Sequence, residues 1–409
     1  MRLSLAPWLG VALLAAPVLT TAQPAPALGD ALKTLLNGHP AAAAARQQVV
    51  AAEAQARAAD RPLYNPELDV EYERAEVNTT TVGVSQTVDW ADKRAASAGV
   101  GARALAAARA ELDRVRQQIA LSWLRALSQK AAADATQALA ERRRKLAERF
   151  VNLAQRRHTA GDLRRSDLNL ARLAVLQARV EERQASAGLA AARGELQDAA
   201  GGVPGLESPP LGRVPPAPAA LESELDRLPQ PPPALRTARA GFETARARVD
   251  VARRARRPDP TLTLRGGQEG SEALTAVGVS VPLFIRNSFR DEVVAAGAQA
   301  SESEYRLRAL EQALTARLRS RLRAYEAAYA AQQSWIDAGG QLLTEQERLI
   351  QRLLELGSIS ASDYLVQLTQ ALEIRAQGMA LRRQSWSAFL DWLETSGQLQ
   401  SWLAGDLGR

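Results

Sequence analysis

Between about Lys93 and His158 the chain holds roughly 65 residues without a proline, with apolar positions returning every three or four residues. Leu105, Ala108, Leu112, Val115 and Ile119 form one stripe, which Leu139, Leu146, Phe150 and Leu153 resume. The pattern predicts one helix roughly 95 Å long at 1.5 Å per residue, several times the usual length in globular domains. A compact core cannot bury a seam that long, so the chain must fold as an elongated column.

Repetition says how the column is built. Val82-Gly83-Val84-Ser85 returns as Val277-Gly278-Val279-Ser280, and Gly161 with Ser166-Asp167-Leu168 returns as Gly357 with Ser362-Asp363-Tyr364, an offset of about 195 residues. Asn65-Pro66 and Asp259-Pro260 keep nearly the same spacing. The chain divides into a first repeat over 23–202, a proline-rich linker over 203–233, a second repeat over 234–397 and a tail over 398–409.

Residues 1–22 have the basic start, apolar run and small residues Thr20-Thr21-Ala22 of a secretory signal peptide; a short membrane anchor is the other reading of this segment. Beyond it no run of about 18 apolar residues could span a bilayer as a helix, so any membrane crossing falls to strands. The chain has no cysteine, which removes disulfides and thiolate metal sites. His39 and His158 are its two histidines, and with no nucleophile elbow or paired-histidine motif, neither an enzyme, a metal site nor a cofactor is expected. The basic runs Arg142-Arg143-Arg144-Lys145 and Arg253 to Arg257 read as solvated helix faces, and no nucleic-acid partner is expected.

Each repeat predicts the same order of elements. A helix over Leu28–Asp60, broken near Gly38-His39-Pro40, precedes strands over Glu67–Glu73 and Thr79–Val88; the long helix, a turn at Gly161 and a helix over Ser166–Asp198, with Leu173, Leu176 and Val180 at apolar spacing, follow. The second repeat gives a helix over Ala234–Arg257, a strand over Thr261–Arg265 and a loop with Gly266, Gly267 and Gly270. A strand over Leu274–Phe284, a second long helix over Arg290–Leu356, a turn at Gly357 and a helix to about Thr395 complete it. The strands are about as long as tilted membrane strands, with Tyr64, Trp90 and Phe284 as membrane-interface aromatics. The fold class is therefore mainly α with a membrane β-barrel. Four strands leave two open edges in lipid, whereas three chains supply twelve, within the range of outer-membrane barrels.

At these residues the chain resembles the TolC-like outer-membrane efflux channels, and within them the CzcC-like branch that serves heavy-metal pumps. The resemblance rests on Asn65-Pro66-Glu67-Leu68, on Val84-Ser85-Gln86-Thr87-Val88 before Lys93-Arg94, on Val279 to Phe284 before Arg286-Asn287, and on the two glycine turns. It implies a homotrimer with a twelve-strand outer-membrane barrel continuous with a periplasmic α-helical barrel. Its partners would be outer-membrane lipid, a periplasmic adaptor and an inner-membrane resistance-nodulation-division pump, with divalent heavy-metal cations as cargo. By the same resemblance Gly161, Asp162, Gly357 and Ser358 are adaptor-docking tip positions, and Asp363 and Asp167 are pore-constriction candidates. Val366 stands where the family often carries a further acid.

Other readings remain at this point. Asp167 and Asp363 equally suit the starts of the helices they sit in. Drug efflux or type I secretion would use the same architecture, and a periplasmic coiled-coil adaptor or purely structural coiled coil would share the helices. The tandem duplication and the four amphipathic strands count against the last two.

Overall fold

The computed structural model describes residues 26–74, 76, 78–212, 214–218 and 231–404; the expected signal peptide, linker residues 219–230 and tail residues 405–409 lie outside the described residues. Two helices, α1 (Pro26–Gly38) and α2 (Pro40–Ala59), are separated by His39, whose Nδ1 accepts the Ala41 N–H at 3.1 Å while Pro40 opens the next turn. Strands β1 (Glu67–Glu73) and β2 (Thr79–Thr87) follow, then α3 (Lys93–Thr159) and α4 (Arg165–Ala199). The second half runs α5 (Pro233–Ala255), β3 (Thr261–Glu269), β4 (Glu272–Ser280), α6 (Arg290–Ala338), α7 (Gly340–Glu355), α8 (Ala361–Ser396) and α9 (Leu399–Ala404).

At 67 residues, α3 is the spine. Its N-terminus is held by Asp89, whose carboxylate oxygens accept the Lys93 and Arg94 N–H groups at 2.8 and 2.7 Å, satisfying donors that a helix start leaves open. α2 lies along the sheet-side half of α3, where a Cβ on Gly101 would come within 2.9 Å of the Ala56 Cα, and α4 returns along the other half. In the second half α6 packs against α5 near the sheet and against α8 beyond it. α3 also touches α5 and α8, so two helical hairpins share one seam.

The core sits in two places along the column. A collar around Trp123, Leu124, Tyr325, Phe389 and Trp392 lies roughly 45 Å along α3 from the sheet. α1 and α9 close over it with Leu32, Leu35, Leu399 and Trp402. A second cluster near the far end joins Leu146, Phe150 and Ala154 of α3 to Leu168 of α4, Ile350 and Leu354 of α7 and Tyr364 of α8.

Several expectations are corrected. β3 runs straight through Gly266 and Gly267, where a loop was expected; a Cβ on Gly267 would collide with the Thr80 carbonyl oxygen, so the glycine is what lets the strands pair there. β4 stops at Ser280 and not at Phe284, because Pro282 has no N–H to offer a ladder. The second long helix is two helices, α6 and α7, interrupted at Gly339. Leu173, Leu176 and Val180 point outward on α4, while Leu168, Ala171, Val175 and Ala178 face the seam. The segment read as tail contributes α9 to the collar.

Candidate functional site

Two features distinguish the molecule's ends: a sheet with its apolar side outward, and a pair of helical tips about 100 Å away along α3. The sheet is antiparallel in the order β1-β2-β3-β4, and among the described residues the outer edges of β1 and β4 have no pairing strand. Its register puts Leu68, Val84, Leu264 and Val277 in one row, with Val70 beside Val82 and Leu262 beside Val279 on the same face. That face is bare: Leu68 is 71% and Val277 78% exposed. The opposite face carries Glu67, Ser85, Thr263 and Gly278 in one row and Asp69, Gly83, Arg265 and Ala276 in the next. Apolar-out and polar-in is the pattern of a lipid-facing barrel wall and the reverse of a strand packed on a soluble core.

The junction between sheet and helices is tied by Asp259, 5% exposed, whose Oδ2 accepts the Tyr64 hydroxyl at 2.7 Å and meets Lys93 Nζ at 2.9 Å. The hydrogen bond to that carboxylate, with burial second, pushes the Tyr64 phenol up to about 12. Tyr64, Trp90 and Phe284 all lie at this end of the strands; Trp90 is exposed and Phe284 meets Phe289 edge-on at 4.9 Å. Near the opposite end, Tyr72 is exposed on β1, an aromatic that the sequence reading passed over.

The two tips are built alike. Gly161 has φ +85° and Gly357 φ +73°, values that favour glycine. In the first tip the Asp162 N–H bonds to the Arg157 carbonyl at 2.8 Å and the Gly161 N–H to that of His158 at 3.0 Å. In the second, the Ser358 N–H bonds to the Leu353 carbonyl at 2.9 Å and the Gly357 N–H to that of Leu354 at 3.1 Å. Both are Schellman closures. The Arg157 guanidinium donates to the Leu354 carbonyl at 2.9 Å, which sets the tips side by side.

Asp363 lies in the first turn of α8, where the Ser360 hydroxyl accepts the Asp363 N–H at 3.1 Å and donates to Asp363 Oδ2 at 2.7 Å. Asp167 lies in the first turn of α4, with its carboxylate 3.4 Å from Arg164 Nε. Each carboxylate therefore supports its helix start, and Asp363 remains exposed.

Sequence reasoning missed a buried ion-pair cluster here. Glu347 on α7, 2% exposed, meets Arg142 of α3 at 2.5 Å and Arg375 of α8 at 2.9 Å. A signal was present: Glu347 occupies a seam position with Leu343, Ile350 and Leu354, where a charge demands a partner. Arg142, read as part of a solvated run, is that partner. Toward the tips, burial pushes the Tyr364 phenol, whose ring lies 4.9 Å from that of Phe150, up to about 12.

Residues 225–391 match the family described as outer membrane efflux protein. No curated protein matches the sequence. Among solved structures, the chain is similar to the outer-membrane channel OprN at 15% identity, covering 91% of this chain and 90% of that one with a TM-score of 0.75. It is also similar to the outer membrane protein VceC of Vibrio cholerae at 18% identity, covering 90% and 96% with a TM-score of 0.73. For the CmeC outer membrane channel of Campylobacter jejuni the identity is 12%, the coverage 93% and 86% and the TM-score 0.74. The family match thus covers part of the chain, largely its second repeat, and the fold shared over nine-tenths of the chain is that of these outer-membrane channels.

Proposed function

We propose that three copies of this chain form the exit duct of a tripartite efflux system, with a twelve-strand barrel in the outer membrane and a helical barrel reaching through the periplasm. The observation that carries this reading is the bare apolar face of a four-strand sheet with two unpaired edges. Such a sheet is unfavourable in water and incomplete in lipid, and joining β1 of one copy to β4 of the next removes both liabilities. The outward stripes Leu170, Leu173, Leu176 and Val180 on α4 and Leu342, Leu349 and Leu356 on α7 support close packing between copies along the column. Tyr64, Trp90 and Phe284 then belong to the interfacial girdle.

Energy would come from an inner-membrane pump, with a periplasmic adaptor docking at the tips around Gly161, Asp162, Gly357 and Ser358. Asp363, and Asp167 at the corresponding place in the first repeat, would form rings of three carboxylates at the periplasmic mouth, attractive to cations and relaxed by a bound cation or proton. A divalent heavy-metal cargo is supported by the resemblance to the metal branch. Selection among cargoes falls to the pump, since the chain has no cysteine and two methionines with which to prefer soft metals.

Planar-bilayer conductance of the detergent-purified protein, wild type against Asp363→Ala, tests this. Small currents blocked by divalent cations from the periplasmic side, with the block lost in the variant, are expected. A silent or monomeric preparation would sink the duct, and unchanged block in the variant would remove Asp363 from the constriction.

A further inference from the structure

The positive charge of this protein is not spread along its column. Residues 142–179, the tip half of the first hairpin, hold eleven lysines and arginines against three carboxylates, a net +8, while the whole chain carries +7. The matching stretch of the second hairpin, residues 338–375, holds three against five, a net −2. The two hairpins share one topology and one tip geometry, so the difference is not demanded by the fold.

Most of these cations have work to do inside the protomer. Arg142 meets Glu347, Arg143 meets Glu181, Arg144 meets Glu148 and Glu182, and Arg157 caps a carbonyl. Arg165, exposed and unpaired among the described residues, lies beyond the tip on α4; Lys145, Arg149 and Arg156 share one face of α3, all three are exposed and, among the described residues, their side chains make no ion pair or hydrogen bond. With Asn152 they fall at steps of four, three and four along α3, a single stripe about 16 Å long. Arg149, Asn152, Gln155 and Arg156 line one shallow cleft, in which the Gln155 side-chain oxygen Oε1 accepts from the Arg172 guanidinium at 2.9 Å, so the Nε2 hydrogens remain to donate. Leu146, Phe150 and Ala154 are buried on the other side of the same turns and hold the stripe outward on a rigid helix.

We propose that this stripe is a recognition surface for an acidic helical segment of the periplasmic adaptor, with Lys145, Arg149 and Arg156 as its contact residues. The inference rests on the efflux reading, which sets this end in the periplasm about 85 Å along α3 from the membrane sheet. Carboxylates three or four residues apart on a partner helix repeat the spacing of the stripe, and guanidinium groups can take them two oxygens at a time. A stripe of this length exceeds what one small anion can occupy. Because the cations sit on a preformed helix, little ordering is lost on docking, and the contact would steer association and set partner choice.

The test is the charge-reversed variant K145E/R149E/R156E against the conservative K145R/R149K/R156K, in cells that need the channel for export. The reversed protein is expected to reach the outer membrane as a trimer and conduct in bilayers like wild type. It should lose export by at least about tenfold and regain it through suppressors that change Asp or Glu to Lys or Arg in the adaptor's helical hairpin; the conservative variant should export normally. Normal export by the reversed variant would overturn the inference, as would loss of its trimer, which would assign the stripe to contact between copies. Stripe-dependent binding to phosphatidylglycerol vesicles, with no acidic suppressors, would assign it to a lipid surface instead. Deletion of the gene without loss of export overturns the efflux reading and this inference with it; deletion that abolishes export while reversal spares it overturns this inference alone.

Discussion

The two hairpins have the same topology and the same tips, yet only one of them is jointed. In the first, α3 passes without interruption through Arg143 and Arg144, which cross-tie it to Glu181 and Glu182 of α4 at 2.6 and 2.9 Å. At the matching level of the second, 196 residues on, stand Gly339 and Gly340, where α6 ends and α7 begins. Across from them α8 carries Gly378, and the Trp335 indole packs so closely on it that a Cβ there would collide with the ring. The Gly339 N–H still reaches the Trp335 carbonyl at 2.8 Å, so the interruption is a bend and not a turn. A strut laced by ion pairs therefore stands beside one with a glycine on each side of a tryptophan wedge. Below that level the second hairpin is held to the first by Glu347 and by the Arg157 guanidinium. Duplication supplied the shared topology, and divergence at a few positions left one copy continuous and cross-tied and the other interrupted at a glycine pair.

Breaking the tie below the bend should have the largest effect. Glu347→Ala leaves Arg142 and Arg375 facing an apolar seam; since both are partly exposed and regain water, the cost is set at about 2–3 kcal/mol, the low side of a broken buried pair. Hydrogen exchange should then speed up over 340–375 and remain slow over 93–140; an equal change in both stretches would mean that the hairpins are one cooperative unit.

Gly378→Leu comes next, because it must expel the Trp335 ring, at about 1–3 kcal/mol for overpacking. Its counterpart in the first hairpin, Glu182→Ala, removes a surface pair and should cost less than about 1 kcal/mol. Thermal unfolding of the two variants checks the order, and a larger loss from Glu182→Ala would reverse the assignment of strut and joint.

A Cβ on Gly340 meets nothing within 4 Å, so Gly340→Ala should stiffen the bend and stabilise the helix by up to about 1 kcal/mol. Slower amide exchange over 335–343 would show it; no change would mean that the glycines do not set the local motion. The tips should behave alike: Gly161→Ala and Gly357→Ala each place a side chain at positive φ, costing about 1 kcal/mol. The two losses should agree within about 0.5 kcal/mol, and a clear inequality would show that the tips are not equivalent.

Much of this architecture was legible in the sequence because it is written in local periodicity. The heptad stripe gave α3 nearly to the residue, and alternation gave β1 and β2, since both patterns report directly which positions share a face. The glycines at the two tips were legible for a different reason: only a glycine takes the left-handed closure without strain. The bend at Gly339 was not, because two glycines in an otherwise helical pattern interrupt it only when a packed neighbour such as Trp335 takes the space. Nor could spacing alone say that Leu173, Leu176 and Val180 would face outward, since Val175 and Ala178 offered a seam one position away.

For this protein the sequence by itself determined the order of the main elements, the length of α3 and the amphipathic strands, all consequences of short-range sterics and apolar spacing. Tertiary structure decided which charges are neutralised. Of the run Arg142 to Lys145, three arginines find carboxylates on facing helices and the lysine finds none. Ion pairing depends on what lies across a seam, 38 residues away in the chain for Arg144 and 205 for Arg142, and only the folded column brings those groups within reach of one another.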